Sequence, residues 1–371
     1  MNGCRYIWQA DSWPNFSWRN GEIQSALTEA YGLRGQLFGK LSLFQFEEVS
    51  VLSLDSLTSE IVTSAKIEGA DLDRDSVRSS ISNHLGLEYG GLPRTDHYVE
   101  GVVQTFLDAT THCNRRLEAE HLFAWHRALF PSGYSGMAKI DVGMWRRGEE
   151  PMQVVSGAFG RQKVHFQAPP SDVVPEMMGQ FLDWLDGSSV DPLIKAAVAH
   201  LWFVTIHPFD DGNGRLCRLI TEMLLARADS LDWRCYSLSA QILRNRKSYY
   251  SHLENAQKGS LDITDWVKWF LETLVEALRE SLAATDRLIN KVKYWQRFSD
   301  VDINARQRKL LNALLDGFNG KLTSSKYYKI NHCSQDTATR DLSDLVAKGM
   351  LRKSAEGGRS THYELLDSLE I

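Results

Sequence analysis

His207-Pro208-Phe209-Asp210-Asp211-Gly212-Asn213-Gly214-Arg215-Leu216-Cys217-Arg218 decides how the rest of the chain is read. An apolar segment long enough for a buried helix, Leu193 to Ile206, leads into it, and a second, Leu216 to Ala226, leads out. The loop between them holds a histidine, two carboxylates, two glycines, an asparagine and an arginine, with a further arginine three residues on. Glycine and asparagine tolerate positive φ, so successive backbone N–H groups can turn towards one point and form an anion-binding nest. The following helix begins there, and its unpaired N–H groups and positive dipole end favour a phosphate. Arg215 and Arg218, at i and i+3, share a face of the first turn and can clamp phosphate oxygens. Asp211 offers a hard oxygen ligand for Mg²⁺ beside those phosphates. His207 is a candidate general base, because imidazole titrates near neutrality. Taken singly, each residue also has an ordinary use. A Gly-Asn-Gly turn joins two core helices, and a histidine at a helix end is often a satisfied core residue. Their concentration within one short stretch argues for chemistry.

The stretch resembles the signature of the Fic family, His-x-Phe-x-(Asp/Glu)-Gly-Asn-Gly-Arg-x-x-Arg, with every fixed position filled. Fic proteins mostly transfer AMP from ATP to a hydroxyl side chain of a protein target. The resemblance implies His207 as base on the incoming hydroxyl and Asp211 as Mg²⁺ ligand. It implies Gly212, Asn213, Gly214 and Arg215 as the phosphate cradle, and Arg218 near the γ-phosphate. A second stretch, Ser64-Ala65-Lys66-Ile67-Glu68-Gly69, matches the inhibitory motif of regulated Fic proteins, (Ser/Thr)-x-x-x-Glu-(Gly/Asn). From spacing alone, Ser64 and Glu68 share a helix face and Gly69 is a natural stop, so Glu68 reads as a solvent-facing residue before a C-cap. The resemblance implies instead that Glu68 pairs with Arg218 in a low-dielectric site and occupies the arginine that the γ-phosphate needs.

The chain has 371 residues, enough for two or three domains. With 43% hydrophobic and 24% charged residues it is an ordinary globular composition rather than a disordered one. A net charge of −5 predicts no whole-protein attraction to nucleic acid or anionic membrane. Five scattered cysteines without Cys-x-x-Cys spacing argue against a disulfide framework and a zinc site, and for a reducing cytoplasm. The N-terminus lacks a signal pattern, and the most apolar stretch, Ala196 to Ile206, is too short to cross a bilayer. The expectation is a soluble cytoplasmic protein with no membrane partner.

The patterning predicts a mainly α fold. Residues 1–95 read as an N-terminal helical region carrying the motif at 64–69, and 96–275 as the catalytic domain. Residues 276–300 read as a linker helix, and 301–371 as a small separate domain. Trp8, Trp13 and Trp18 with Tyr6 and Phe16 form an aromatic lead-in expected to pack on another part of the chain. Helical spacing runs over about 22–46, 46–67, 96–113 and 117–130. From Met152 to Gln167 two short β-prone runs flank Gly157 to Gly160 and predict a hairpin. In Fic proteins a hairpin here, the flap, pairs through its backbone with the target segment, a case of strand addition. By that resemblance Val154, Val155, Ser156 and Gly157 form its nucleotide-side edge. His165 is read as pointing outward. On the helix from about Ile242 to Gly259, Tyr249, Leu253 and Gln257 share a face. The family's helix in this position contacts adenosine, which puts Tyr249 and Gln257 forward as adenine contacts, with ordinary packing as the other use.

A long helix follows from Thr264 to about Trp295. Three shorter helices and two strands then resemble a winged helix-turn-helix. Gln335, Thr337, Thr339 and Arg340 lie on or near the exposed face of its third helix, and Lys353 and Arg359 in its wing. Asp336, Asp341 and Asp344 dilute the positive charge there, which favours protein docking over DNA. The function implied is a protein adenylyltransferase using ATP and Mg²⁺, autoinhibited by Glu68, acting on a Ser, Thr or Tyr hydroxyl of a protein target. Self-modification and a homodimer stay open. Two alternatives stand beside it: a DNA-binding regulator with a nucleotide-sensing core, and a Fic enzyme that removes AMP or moves another phosphoryl group.

Overall fold

A computed structural model describes residues 5–44, 46–86, 97–156, 163–230, 234–318, 320–354 and 361–366. The fold among them is mainly α, and the chain divides into two units, 1–281 and 282–371. The first unit contains α1 (Asn20–Leu41), α2 (Phe46–Ile67), α3 (Arg74–His84), α4 (His97–Thr111), α5 (Ala119–Leu129), α6 (Val174–Gly187), α7 (Pro192–Ile206), α8 (Asn213–Asp229), α9 (Leu238–Arg244), α10 (Arg246–Lys258) and the start of α11 (Thr264–Arg297).

Helix α7 is buried on every side, as a helix without a polar face must be. Asp191 starts it by accepting from the Leu193 and Ile194 N–H groups at 2.9 and 3.3 Å, with Pro192 at the first helical position. Helix α8 lies along α7, α4 and α5 cover α8, and α6 and α10 cover α7. Helix α2 packs on α3, α4, α8 and α9, so its C-terminal Ser64–Glu68 stretch reaches the start of α8. Helix α3 lies in a stretch without an apolar repeat. Asp73 caps it through the Ser76 N–H at 2.8 Å, and its buried positions are filled largely by Ser79, Ser80 and Ser82. An aliphatic pattern is silent where serines take the core-facing sites.

Two hairpins complete the unit. β1 (Tyr134–Ser135) pairs with β2 (Ala138–Lys139) in the stretch after α5. β3 (Gln153–Ser156) pairs with β4 (Lys163–Gln167), with a bulge between Val154 and Val155. Gly157 and the rest of the hairpin tip lie outside the described residues. The aromatic lead-in packs where it was expected to find a partner. Tyr6 meets Phe166 edge-on at 5.2 Å, the Trp8 indole donates to the Gln167 carbonyl at 2.8 Å, and Trp13 and Phe16 both meet Trp202 of α7.

The second unit holds α12 (Ala305–Leu315), α13 (Ser324–Asn331), α14 (Gln335–Ala347), and the antiparallel pair β5 (Leu351–Lys353) and β6 (Tyr363–Leu365). Leu310, Leu311, Tyr327, Leu342, Leu345 and Met350 form its core. The charge reading of α14 is corrected here. Asp341 is buried, not displayed: it accepts from Arg306 at 2.9 Å, the Tyr327 hydroxyl at 2.8 Å and Asn304 at 3.2 Å. Asp344 is taken up by Lys348 and Gln307, which leaves Asp336 as the exposed carboxylate of the three. Arg359 lies outside the described residues. No described helix is long and apolar enough to cross a membrane.

Candidate active site

The α7–α8 loop is built from its backbone upward. His207 ends α7 in the left-handed region at φ 52°, ψ 59°, a conformation that costs a non-glycine residue roughly 1–2 kcal/mol. Gly212 begins α8 at φ 79°, and a Cβ there would lie 2.7 Å from the Phe130 ring. Asn213 and Gly214 are already helical. The positive-φ positions are therefore His207 and Gly212, a correction to the expectation that glycine and asparagine in succession supply the turn. Gly214 is needed for space instead. A Cβ at that position would lie 2.9 Å from the Glu68 carboxyl carbon.

Asn213 is buried and braces the loop: its Oδ1 accepts from Phe209 N–H at 2.9 Å and its Nδ2 donates to Phe209 O at 2.8 Å. The side chain has little left for a phosphate, and the N–H groups at the start of α8 remain the anion-seeking feature. Phe209 in turn is fully buried, stacked on His126 at 4.3 Å. His126 accepts from Gly143 N–H at 3.0 Å, so its other nitrogen carries the proton and donates to Asp211 O at 3.1 Å. Burial holds its pKa below the usual range and keeps it neutral. The Asp211 carboxylate accepts from Gly212 N–H at 2.6 Å and from the Ser135 hydroxyl of β1. Ser135 and His126 thus orient Asp211, and neither carries a sequence signal, because their partners lie 76 and 85 residues away.

His207 is partly exposed. Its Nδ1 donates to Val204 O at 3.3 Å, which leaves Nε2 as the acceptor. Surrounding protein pushes its pKa down to about 4. Arg146 acts in the same direction, while the Val204 carbonyl, Glu68 and Asp211 oppose it. The imidazole is neutral at pH 7 and able to take a proton.

Arg215 in the first turn of α8 and Arg218 in the second differ in their partners. Arg215 donates to the Tyr98 hydroxyl at 3.1 Å and lies 4.5 Å from the Phe130 ring centre. Arg218 is 2% exposed and faces α2. It donates through Nε to the Ser64 hydroxyl and through Nη2 to the Ser64 carbonyl, both at 2.9 Å, and its Nη2 pairs with Glu68 at 2.8 Å. Glu68 therefore pairs with Arg218 as the resemblance implied, Ser64 binds the same guanidinium, and the Glu68 side chain still faces solvent at 34% exposure, as spacing alone predicted. Arg215 Nε and Arg218 Nη1 are buried and have no partner among the described residues. Buried unpaired guanidinium N–H groups suit an anion.

The adenine assignments on α10 are corrected in part. Tyr249 is 2% exposed and belongs to the core. The Thr221 hydroxyl donates to Cys217 O at 2.9 Å, so His200 Nδ1–H donates to Thr221 at 2.9 Å and Tyr249 O–H donates to His200 Nε2 at 3.0 Å. This relay has no open end. Gln257 is buried too, and donates to the Thr205 hydroxyl at 3.3 Å at the end of α7. Its neighbour in the pattern, Tyr250, is 38% exposed, and its hydroxyl pKa is raised first by burial and then by the Glu68 charge. Tyr250 is the α10 aromatic on the open side of the site. On the flap, Val155 is 40% exposed and Val154 half-buried, while strand β3 extends to Ser156. His165 does not point into solvent: it pairs with Glu254 of α10 at 2.8 Å, which ties β4 to that helix.

Residues 116–225 match the family model described as Fic/DOC family, and residues 6–87 match one described as a domain of unknown function (DUF4172). A protein adenylyltransferase Fic of Drosophila willistoni is 34% identical over 146 residues, which cover 38% of this chain and 28% of that protein. A protein adenylyltransferase of Caenorhabditis elegans is 33% identical over 93 residues, 24% of this chain and 17% of that protein. The chain thus spans less than a third of the length of these curated relatives. The crystal structure of a Fic family protein from Desulfovibrio desulfuricans shares the fold at 22% identity and a TM-score of 0.53, covering 94% of this chain and 97% of that one. Residues 116–225 thus match a Fic/DOC domain, and these partial relatives are named protein adenylyltransferases.

Proposed function

We propose that the Fic/DOC domain of this chain transfers AMP from ATP to a hydroxyl side chain of a protein target, and that the Glu68–Arg218 pair restrains the transfer. The observation that carries this reading is the pairing itself. A carboxylate sits on the arginine, and in the space beside Gly214, where a triphosphate at the α8 N-terminus would lie. With Glu68 displaced, Arg218 and Arg215 turn their free N–H groups to the phosphates. The target hydroxyl attacks the α-phosphorus, the bond to the β-phosphate oxygen breaks, and diphosphate leaves. His207 Nε2 takes the hydroxyl proton. The α8 N–H groups and the arginines hold the charge that develops on the phosphate oxygens.

Among the described residues no group of three or more His, Cys, Asp or Glu is arranged to hold a metal. Asp211, one oriented carboxylate beside a phosphate site, fits Mg²⁺, which usually takes one or two carboxylates plus substrate phosphates. Bound there, the ion would offset phosphate charge. The exposure of Tyr250 and its nearness to Glu68 support it as the residue that covers the adenine, and the β3 edge of the flap receives the target segment. Residues 1–95 regulate, 96–275 catalyse, and 301–371, a winged helix beyond the 276–300 linker, docks a partner. Steeply salt-dependent binding of random duplex would replace docking with DNA recognition. The four described cysteines are free thiols, which suits the cytoplasm.

Intact-mass analysis of Glu68→Gly protein incubated with Mg²⁺ and ATP tests the reading. The expected result is an AMP adduct on the protein or on an added target, faster than wild type by about 10- to 100-fold, the range of a typical coupling energy. Labelling at the wild-type level would remove Glu68 as the restraint, and an adduct of another mass would change the group transferred.

A further inference from the structure

His207 sits in a left-handed turn whose N–H and Nδ1 bond back to Phe203 O and Val204 O of α7, while its carbonyl is held from outside the loop. The grip comes from Arg146, in the segment before the flap. Arg146 is 4% exposed. Its Nε donates to His207 O at 2.8 Å, and its Nη2 to Pro169 O at 2.5 Å and Ile206 O at 3.5 Å. Its backbone N–H donates to Pro208 O at 2.9 Å. One buried guanidinium therefore spans the carbonyls before and after the His207 Cα and ties them to the end of the flap. Those carbonyls are the negative end of the α7 dipole, which suits a cation. The carboxylate acting on the guanidinium is that of Asp210.

We propose that Arg146 is a positioning residue for the transfer reaction: by holding the His207 carbonyl it maintains the left-handed turn that leaves imidazole Nε2 free for the acceptor hydroxyl. This rests on the AMP-transfer reading. A non-glycine residue stays in that conformation only where its surroundings over-determine it. Released, the His207 peptide rotates and the Nδ1 contact with Val204 is lost. A lysine keeps the charge but lacks the planar fork that reaches several carbonyls at once. The charge matters separately, because Arg146 favours the neutral imidazole while Glu68 and Asp211, the other charged groups acting on it, favour the protonated one.

The test uses the full chain in a Glu68→Gly background with Arg146→Lys and Arg146→Met. Self-labelling is measured at saturating ATP from pH 5 to 9, ATP affinity is measured with a fluorescent analogue, and His207 is titrated by NMR. The expected result is an ATP affinity little changed and a saturated rate about 10²-fold lower in both variants, the effect of misplacing a catalytic group by about an ångström. The imidazole titrates higher in Arg146→Met than in Arg146→Lys, because only lysine keeps the charge. A parental saturated rate in either variant overturns the proposal, as does a loss confined to ATP affinity or folded fraction. Should Arg146→Met not fold, Arg146→Lys decides. Should the Glu68→Gly parent label nothing, the transfer reading fails, and a crystal structure of Arg146→Lys then decides: a His207 still left-handed overturns the positioning role.

Discussion

Helix α8 ends in an arginine–carboxylate cluster at each end, and the two are built differently. At its C-terminal end Asp229 accepts from Arg34 at 2.7 Å, from Arg234, and from the Tyr236 hydroxyl at 2.7 Å, while Arg234 also pairs with Glu222 at 2.7 Å. The side chains of these ion-paired residues are no more than 8% exposed. At the N-terminal end Arg218 is equally buried, but Glu68 is 34% exposed and arrives from a single turn at the end of α2. Each cluster leaves a buried polar atom unpaired among the described residues, Glu222 Oε1 at one end and Arg218 Nη1 at the other, so the exposed carboxylate is what separates them. A cluster sealed on all sides can be broken only by opening the fold, because each charge would be stranded without water. A cluster with one partner at the surface can exchange that partner for another anion, since water and ligand can reach it. On the function proposed above, the same chemistry serves as a fastening at one end and as a switch at the other.

The strongest way to break the comparison is at the sealed end. Asp229→Ala takes from buried Arg34 its carboxylate, leaving it the Ala228 carbonyl, and leaves Arg234 with Glu222 alone. It is expected to cost about 3–5 kcal/mol of stability. Chemical denaturation would show it, and labelling per folded molecule stays at the wild-type level. An Asp229→Ala protein that is as stable as wild type, or that labels like Glu68→Gly, erases the distinction between the two ends. Next in size, adding His207→Ala to Glu68→Gly should lower labelling by at least about 10²-fold, the lower end for loss of a general base. The pH profile of Glu68→Gly sharpens this. An imidazole whose folded-state pKa is depressed to about 4 acts as base above that value. Labelling therefore holds as pH falls through the ordinary histidine range and is lost only towards pH about 4, lower still without Glu68. Over the same window the unfolded chain binds the proton first, so this histidine withdraws stability as pH falls. A midpoint near neutrality would assign the base elsewhere. The smallest effects separate the two adjacent tyrosines. Tyr250→Ala should weaken ATP binding by about 1–3 kcal/mol, as lost base stacking does. Tyr249→Phe should leave affinity unchanged and cost about 1–2 kcal/mol of stability through the unpaired His200 nitrogen. Calorimetric titration and thermal melts distinguish them, and the reverse pattern would return the adenine contact to Tyr249.

The parts legible in the chain were those whose meaning is local. The order of residues from His207 to Arg218 specifies a loop between two apolar helices with two arginines near the start of the second, and they stand there, Arg215 in its first turn and Arg218 in its second. The spacing of Ser64 and Glu68 specifies one helix face, and both meet Arg218. The hairpin at 153–167 and the three helices and two strands of the C-terminal unit follow from short-range pattern in the same way.

What pattern could not decide was which of several chemically suitable residues faces which neighbour. Tyr249 and Tyr250 are adjacent on α10, and only the packing of α7 and α11 against that helix sends one into the core and leaves the other open. Asp341 reads as a surface charge until Arg306, Tyr327 and Asn304 close around it, and His165 reads as idle until α10 brings Glu254 to it. Arg146 has no signal at all, because its partners are carbonyl oxygens, which every residue carries. Sequence by itself determined the kind of chemistry this protein can perform, since side-chain type and spacing along one turn are covalent facts. Tertiary structure alone decided which histidine, tyrosine and arginine are placed to perform it, because burial and partnership arise only when distant segments exclude water from one another.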